Sequence, residues 1–567
     1  MNQNFIFRLK VIYYFSIFIA LLTLSRLFYL QIIIHDKITN YGKKEFEKNI
    51  SELIARGKIY DTNGELLADS IVTWDLVIMK NEFNNNLNAS SKLSKIIGEN
   101  NSFISKKLNS KSNYVKIQKN LEFETYQKIN NLIKEEKLKG ILLEAHQKRI
   151  YPSNIAREIL GLANEEKGLT GIELLYDENI KGDYKRQQVI RDANGNIIYS
   201  ETEKSGKIPD ETYLTIDSKI QFFSEESIKK YVQDSKAEKG IIIVEEVKTG
   251  KIKAMASYPQ NYINLLPVEW TYEPGSTFKA ITFSAALEEN STNEKEVFYC
   301  ENGEWKFNDK IKIHDHEPEK NLTVKEIFEK SSNIGSAKIA LKIGIEKFYG
   351  YIKAFGFGSP VLGFKGESAG LVKDLKNYKN LDLAMTAFGH SISATPLQIV
   401  NAYSAIANKG ILLKPYLVEK ILSSKNEIKI ENKTSVIRKA ISEKTAERVK
   451  DLLISVVDNG TGKNAQIIGY SIAGKTGTAN KIDMRTGKYV SKKNVASFCG
   501  FFPANEPRYA ILVIIDAPTK YHYGGEVAAP AFKEVAQKII NIENIKPDRE
   551  IKYENVLKKN LNPVVSD

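Results

Sequence analysis

Cysteine is nearly absent from this chain. Two residues, Cys300 and Cys499, occur in 567. That is too few for a disulfide framework, and their separation is not that of a metal site; the sequence leaves open whether they pair. Histidine is scarce as well. The six, His35, His146, His314, His316, His390 and His522, are scattered, so no Ser-His-Asp arrangement can be read off. His314-Asp315-His316-Glu317 would place two histidines on one side of an extended strand. No further ligands stand near them in sequence, and the stretch reads as a solvated loop. The acidic segments offer no carboxylate pair with a defined role. Charge of one sign is not massed either. The 82 Lys+Arg and 69 Asp+Glu leave +13, a balance that could suit nucleic acid, an anionic membrane or an acidic polymer. The basic residues are dispersed and form no stripe, so nucleic acid is not an expected partner.

Long apolar runs are limited to one, over residues 11–34. At ~1.5 Å per residue a helix there spans about 36 Å, enough for a hydrocarbon core of ~30 Å. Arg26 interrupts it near the distal end, where its head can snorkel outward. Arg8 and Lys10 precede the run and favour an N-terminus on the inner side. No small-x-small site follows Leu24, so a cleaved signal peptide is not expected. The reading is a short cytoplasmic segment over residues 1–10, a single-pass anchor over 11–34, and nearly all the protein outside the cytoplasmic membrane.

Residues 35–210 are polar and rich in Asn and Lys. Arg56-Gly57-Lys58-Ile59-Tyr60-Asp61-Thr62-Asn63-Gly64 ends in a strong hairpin signal. Residues 80–137 carry helical patterning, and Gly168-Leu169-Thr170-Gly171-Ile172-Glu173 starts another ordered piece. Without a constellation suited to chemistry, this region reads as a pedestal or docking domain. Near residue 210 the texture changes. Residues 240–247 are β-branched and apolar, Lys248-Thr249-Gly250-Lys251 is a turn, and 252–258 is a second strand. Higher apolar content and longer elements run to about 545, which defines a catalytic domain over 211–545 and a tail over 546–567.

Within that domain, Tyr272-Glu273-Pro274-Gly275-Ser276-Thr277-Phe278-Lys279 places a turn before a largely buried helix over residues 276–287. Ser276 then lies on the first helical turn with Lys279 one turn further along the same face. A nucleophile, a possible base and free backbone N–H groups fall within four residues. Ser-x-x-Lys alone is weak: a second copy, Ser227–Lys230, sits in a charged stretch, and a helix-capping role would also explain Ser276. Ser331-Ser332-Asn333 opens a helix-compatible run with small residues, and capping would explain it too. Gly474-Lys475-Thr476-Gly477-Thr478 follows the strand-like Tyr470-Ser471-Ile472-Ala473. Turn residues Met484-Arg485-Thr486-Gly487 precede strands over 494–502 and 508–516, so an antiparallel meander is expected. A helix over 531–540 closes the domain. An earlier Lys-Thr-Gly at Lys248–Gly250 lies in a turn, not on a strand. Gly469 to Thr476 also fits the P-loop pattern letter for letter. The strand-like interior and the absence of a helix-forming run after Lys475 argue against a nucleotide site.

The order Ser276–Lys279, Ser331–Asn333, Lys475–Gly477 resembles the three motifs of penicillin-binding proteins and serine β-lactamases. Further stretches resemble class B penicillin-binding proteins, the monofunctional peptidoglycan D,D-transpeptidases. They are Arg56 to Asp61, Tyr272 to Lys279, Ser331 to Gly335, Ala394-Thr395-Pro396-Leu397-Gln398 and Tyr523-Gly524-Gly525-Glu526-Val527-Ala528-Ala529-Pro530. The division-type enzyme is most similar; the elongation-type enzyme and a D,D-carboxypeptidase are the near alternatives. An acylatable scaffold or sensor is a more distant one.

The resemblance implies an α+β fold: a five-stranded antiparallel sheet flanked by helices, a helical subdomain, an elongated pedestal and one transmembrane helix. It implies catalysis by Ser276, Lys279, Ser331 and Asn333, with substrate bound by Lys475, Thr476, Gly477 and Thr478. No metal or nucleotide cofactor is expected. The implied partners are stem peptides, β-lactams, the cytoplasmic membrane, a membrane glycosyltransferase and other division proteins.

Overall fold

The computed structural model describes residues 3–83, 87–100, 102–191, 197–204, 206–260, 263–483 and 488–550. Helix α1, Gln3–Phe28, continues through a short π-helical turn at Tyr29–Ile33. It starts earlier than the apolar run requires, because Arg8 and Lys10 are themselves good helix formers. Among the described residues, Asn4–Ile33 is the one helix long and apolar enough to cross a membrane. The predicted turn Met484-Arg485-Thr486-Gly487 and the tail beyond residue 550 lie outside the described residues.

The chain divides into two compact units, Met1–Ala55 with Gly182–Pro209, and Arg56–Lys181 with Asp210–Asp567. The first contains a three-stranded antiparallel sheet of Glu47–Leu53, Tyr184–Arg191 and Ile197–Lys204.

In the second unit, the hairpin signal at Asn63-Gly64 joins strand Ile59–Tyr60 to Leu66–Met79. The Asp61 carboxylate accepts from the backbone of Asn63 at 2.7 Å and of Glu65 at 2.8 Å, closing the turn, and from Ser218 N–H at 3.1 Å. Arg56, at the head of this motif, is buried. Its guanidinium meets Glu173 at 2.7 Å and Asp177 at 2.8 Å, while Arg149 takes the other Glu173 oxygen at 2.7 Å. Such a buried network is costly to break one partner at a time. Residues 80–137 are not helical throughout: Tyr114–Leu121 is a strand paired with Leu66–Met79. Its apolar residues alternate, with Val115, Ile117 and Leu121 buried, and this short period-2 run is lost among the helices around it.

The region from residue 211 onward is layered. Helix α2, Ser218–Asp234, is capped by the Asp217 side chain and precedes strands β1, Lys239–Glu246, and β2, Ile252–Tyr258. Helices α3, Lys279–Glu288, α4, Val324–Lys330, α5, Asn333–Ile343, and α6, Pro396–Ala407, follow. Strands β3, Ala473–Asp483, β4, Lys488–Phe502, and β5, Tyr509–Asp516, and helix α7, Gly524–Ile542, complete it. The sheet order is β2-β1-β5-β4-β3, all neighbours antiparallel. Both faces are covered, which explains the near-continuous apolar runs. Ile241 and Ile243 join the core shared with α3, α5 and α6, whereas Ile242 and Val244 join the core under α2 and α7. Helix α6 runs through the interior with every residue buried. Its Thr395–Gln398 capping box and Pro396 at the first turn start it sharply.

Three expectations change in detail. The run over residues 276–287 is two pieces, a 3₁₀ turn at Gly275–Phe278 and then α3. Gly275 enters at φ +55°, and Thr277 Oγ1 donates back to Pro274 O at 2.7 Å, which tightens the turn. The strand expected from 494 begins at Lys488. The closing helix begins at Gly524 and carries Pro530 inside it. Proline normally ends a helix; here Val527, Ala528, Phe532, Val535 and Ile539 are buried on one face, and that burial offsets the lost hydrogen bond. Cys300 and Cys499 are both free and buried.

Candidate active site

Ser276 sits in the 3₁₀ turn ahead of α3, and three contacts hold that turn. Gly275 N–H donates to Gly389 O at 3.1 Å, Tyr403 OH on α6 donates to Thr277 O at 2.7 Å, and Thr277 ties back to Pro274 as above. Gly389, at φ +80°, leaves room for this approach: a Cβ there would lie 2.1 Å from Gly275 O.

Lys279 begins α3 and is fully buried. Its ammonium donates to Ser331 O at 2.5 Å, Ser331 Oγ at 3.2 Å and Asn333 Oδ1 at 2.9 Å. Ser331 is not the cap of α5. It terminates α4 in the left-handed region at φ +62°, and Ser332 caps α5 instead. That kink turns Ser331 Oγ toward both lysines. Lys475, on β3 and also fully buried, donates to the same Oγ at 2.9 Å and to Thr476 O at 3.3 Å. Burial pushes the Lys279 amine down to about 7, opposed by the nearby Asp315 carboxylate. Burial and the adjacent Lys279 charge push Lys475 well below its ordinary value.

A cavity of about 460 Å³ has Ser276, Ser331, Asn333, Thr476 and Thr478 among its lining. The eight residues singled out from sequence are therefore brought together. At Gly477 the backbone approach is close: a Cβ there would fall 2.4 Å from Ser497 Oγ and 2.9 Å from Thr277 Cγ2. Thr476 Oγ1 lies 2.6 Å from Thr461 Oγ1, and Thr478 Oγ1 accepts from Gly524 N–H at 3.3 Å.

The other copies of these motifs go elsewhere. Ser227 and Lys230 lie on α2, where Lys230 pairs with Glu534. Lys248–Gly250 is the β1–β2 turn. Strand β3 continues past Lys475 to Asp483 with no helix, which removes the phosphate cradle that a P-loop needs.

Histidines and acids that sequence reasoning set aside also meet here. His314-Asp315-His316-Glu317 is not simply a solvated loop. Asp315 accepts from Ser332 Oγ at 2.5 Å, from Asn333 N–H and from Ile334 N–H at 3.0 Å, capping α5. The His314 carbonyl accepts from Asn333 Nδ2 at 2.9 Å. His316 and His390 line the cavity, and burial pushes the His390 imidazole down to about 4. Among the described residues, no group of three His, Cys, Asp or Glu is placed to hold a metal ion. The alternation of His314-Asp315-His316 was visible, but its docking partner lies in another element and no local signal names it.

Comparison with known proteins bears on this geometry. Residues 240–537 match the penicillin binding protein transpeptidase domain, and residues 52–214 match the penicillin-binding protein dimerisation domain. The chain is 30% identical to stage V sporulation protein D of Bacillus subtilis over 560 residues, 95% of this chain and 86% of that one. It is 30% identical to the peptidoglycan D,D-transpeptidase FtsI of Buchnera aphidicola subsp. Schizaphis graminum, covering 96% of each. In fold it is similar to the crystal structure of penicillin binding protein 2X from Streptococcus thermophilus. That likeness has a TM-score of 0.75 at 24% identity and covers 88% of this chain and 81% of that one.

Proposed function

The chain belongs to the penicillin-binding transpeptidase family, and from that premise we propose that it cross-links peptidoglycan stem peptides through an acyl-enzyme on Ser276. The observation that carries the reading is the convergence of two buried lysines on the Oγ of Ser331, a residue that lines the same cavity as Ser276. Ser276 Oγ attacks the carbonyl carbon of a D-Ala–D-Ala end, and its proton passes to neutral Lys279. With its amine held near 7, Lys279 is neutral in about half the molecules at that pH. A base so tuned is worth on the order of 10²–10⁴ in rate.

Collapse of the tetrahedral intermediate breaks the C–N bond. The leaving D-Ala amine takes up, by way of Ser331, the proton that Lys279 received from Ser276. An amine of a neighbouring peptide then attacks the ester carbonyl, the C–O bond to Ser276 breaks, and the proton shed by that amine returns through Lys279 to Ser276 Oγ. Asn333 orients Lys279 and the substrate amide. Lys475 and Thr476 receive the terminal carboxylate, whose charge would favour a protonated Lys475 and so keep Lys279 neutral. Backbone N–H groups of Ser276 and Thr478 hold the oxyanion, where one donor is worth roughly 3 kcal/mol. Gly477 keeps β3 against the nucleophile's turn.

Arg8 and Lys10 at the start of α1 support an N-terminus inside and a catalytic region outside the cytoplasmic membrane. A membrane glycosyltransferase and division proteins are proposed partners, on the strength of the resemblance to the division-type enzyme. A tagged protein gathered at the septum supports that assignment; one spread along the side wall overturns it in favour of elongation. The reaction itself is tested by supplying a D-Ala–D-Ala stem peptide with an acceptor amine. Cross-linked peptide is the expected product. Only the hydrolysed peptide, at saturating acceptor, would make the enzyme a carboxypeptidase.

A further inference from the structure

Glu273 stands three residues before the nucleophile and is 8% exposed. Burial raises its affinity for a proton, so a carboxylate is not an obvious choice for this position. Its two oxygens divide between two distant parts of the chain. One accepts from Ser391 N–H at 2.8 Å, the other from Tyr489 OH at 3.1 Å. Both donors are neutral.

Neither donor lines the cavity itself, but each belongs to a segment joined to one that does. Ser391 follows His390, whose ring lines the cavity with Ser276. The short loop around it runs beside the nucleophile's segment: Tyr272 and Ala394 exchange backbone hydrogen bonds at 3.1 and 3.0 Å, and Gly275 N–H reaches Gly389 O. Ser391 itself is held at φ +60° and Gly389 at +80°. The serine conformation is strained for a residue with a Cβ and needs support from outside the loop. The N–H of that strained residue is the one Glu273 accepts. Tyr489 lies on β4 opposite Ile482 of β3, the strand whose Thr476 and Thr478 form the other wall.

We propose that Glu273 is a positioning residue whose carboxylate clamps the His390 loop and the β3–β4 hairpin to the turn that carries Ser276. The inference rests on the acyl transfer proposed for Ser276. A nucleophile displaced by about 1 Å can lose on the order of 10²-fold in rate while the ligand still binds. The clamp therefore acts on the acylation step more than on binding.

The test is the kinetics of acylation of the full-length protein by a fluorescent penicillin, resolved into the pre-acylation dissociation constant Ks and the first-order acylation constant k2. Glu273→Ala is expected to lower k2 by about 10- to 100-fold and to change Ks by less than about threefold. Glu273→Gln keeps an acceptor for Ser391 and gains a donor for the Tyr489 oxygen, so it is expected to restore k2 to within about threefold of wild type. Wild-type k2 in Glu273→Ala, or a loss that Glu273→Gln fails to rescue, overturns the proposal. Should Glu273→Ala not fold, Tyr489→Phe decides: it removes one hydroxyl from a half-exposed ring, and k2 must fall. If the wild-type protein itself takes no label at Ser276, the acyl-transfer reading fails, and that outcome is distinct from equal k2 in wild type and variant.

Discussion

Lys279 and Lys475 donate to the same oxygen: Ser331 Oγ lies 3.2 Å from one ammonium and 2.9 Å from the other. Two buried ammonium groups sharing one acceptor repel each other, and burial already disfavours either charge. The pH dependence follows. With the neutral amine as the proposed base, activity should be present above the Lys279 value of about 7 and be lost as pH falls through it. Acylation by penicillin, followed from about pH 5.5 to 8.5, should rise through 7 and level off. Lys279→Arg, which stays charged, should lose at least about 10²-fold at every pH. A flat wild-type profile over that range would contradict the assignment.

Asp315 is coupled to the Lys279 amine. Its carboxylate favours the charged form of Lys279 and caps α5 through Ser332, Asn333 and Ile334. Removing the negative charge leaves Lys279 easier to deprotonate. Asp315→Asn should therefore move the rising limb of the acylation profile toward acid and cost about 1 kcal/mol of stability through the weakened cap. A limb that stays in place, or moves toward alkali, counts against the coupling.

Glycine at 389 is a steric requirement of the nucleophile's turn. Gly389→Ala places a Cβ 2.1 Å from Gly275 O at a φ of +80°, so it should lower Tm by an amount equivalent to roughly 1–3 kcal/mol and slow acylation with it. Gly350, in the helix Ile345–Ala354, is the control. Nothing lies within 4 Å of its added Cβ, and Gly350→Ala should be stabilising by about 0.5–1 kcal/mol. Thermal melts and acylation rates of the two variants read the contrast directly.

Glu245 gives the core its own pH dependence. It is fully buried on β1 beside Ser404, and burial pushes its carboxyl up to about 8. The unfolded chain ionises this group above its ordinary 4.5, whereas the native state keeps its proton until about 8. Native protein thus binds more protons, and stability falls as pH rises between those values, by about 1.4 kcal/mol per pH unit at most. Between pH 5 and 7 the melting temperature of Glu245→Gln should gain steadily on wild type. A gap that stays constant with pH would mean that Glu245 is ionised in the folded protein.

Much of this architecture was legible because its signals are local. The β1–β2 hairpin, the Asn63-Gly64 turn and the strand position of Lys475-Thr476-Gly477 each depend on a few adjacent residues. They separate the Lys-Thr-Gly of the candidate site from its copy at Lys248–Gly250. What was not legible depends on partners far along the chain. Asp315 reads as loop until α5 is docked on it, and Glu273 reads as part of a turn until Ser391 and Tyr489 arrive. Strand Tyr114–Leu121 is hidden between helices, and helix α7 runs through Pro530 because the sheet beneath it holds its apolar face. The 3₁₀ turn at Ser276 is likewise set by Gly389 and Tyr403, neither of which is near it in sequence.

The central claim is that the hydroxyl of Ser276 is the group acylated. Labelled penicillin, acid quenching and peptide mapping test it most directly. The wild-type protein should carry one acid-stable adduct on the peptide containing Ser276, and Ser276→Ala should carry none. An adduct of equal yield in Ser276→Ala, or one mapped to a different residue in wild type, would contradict the account.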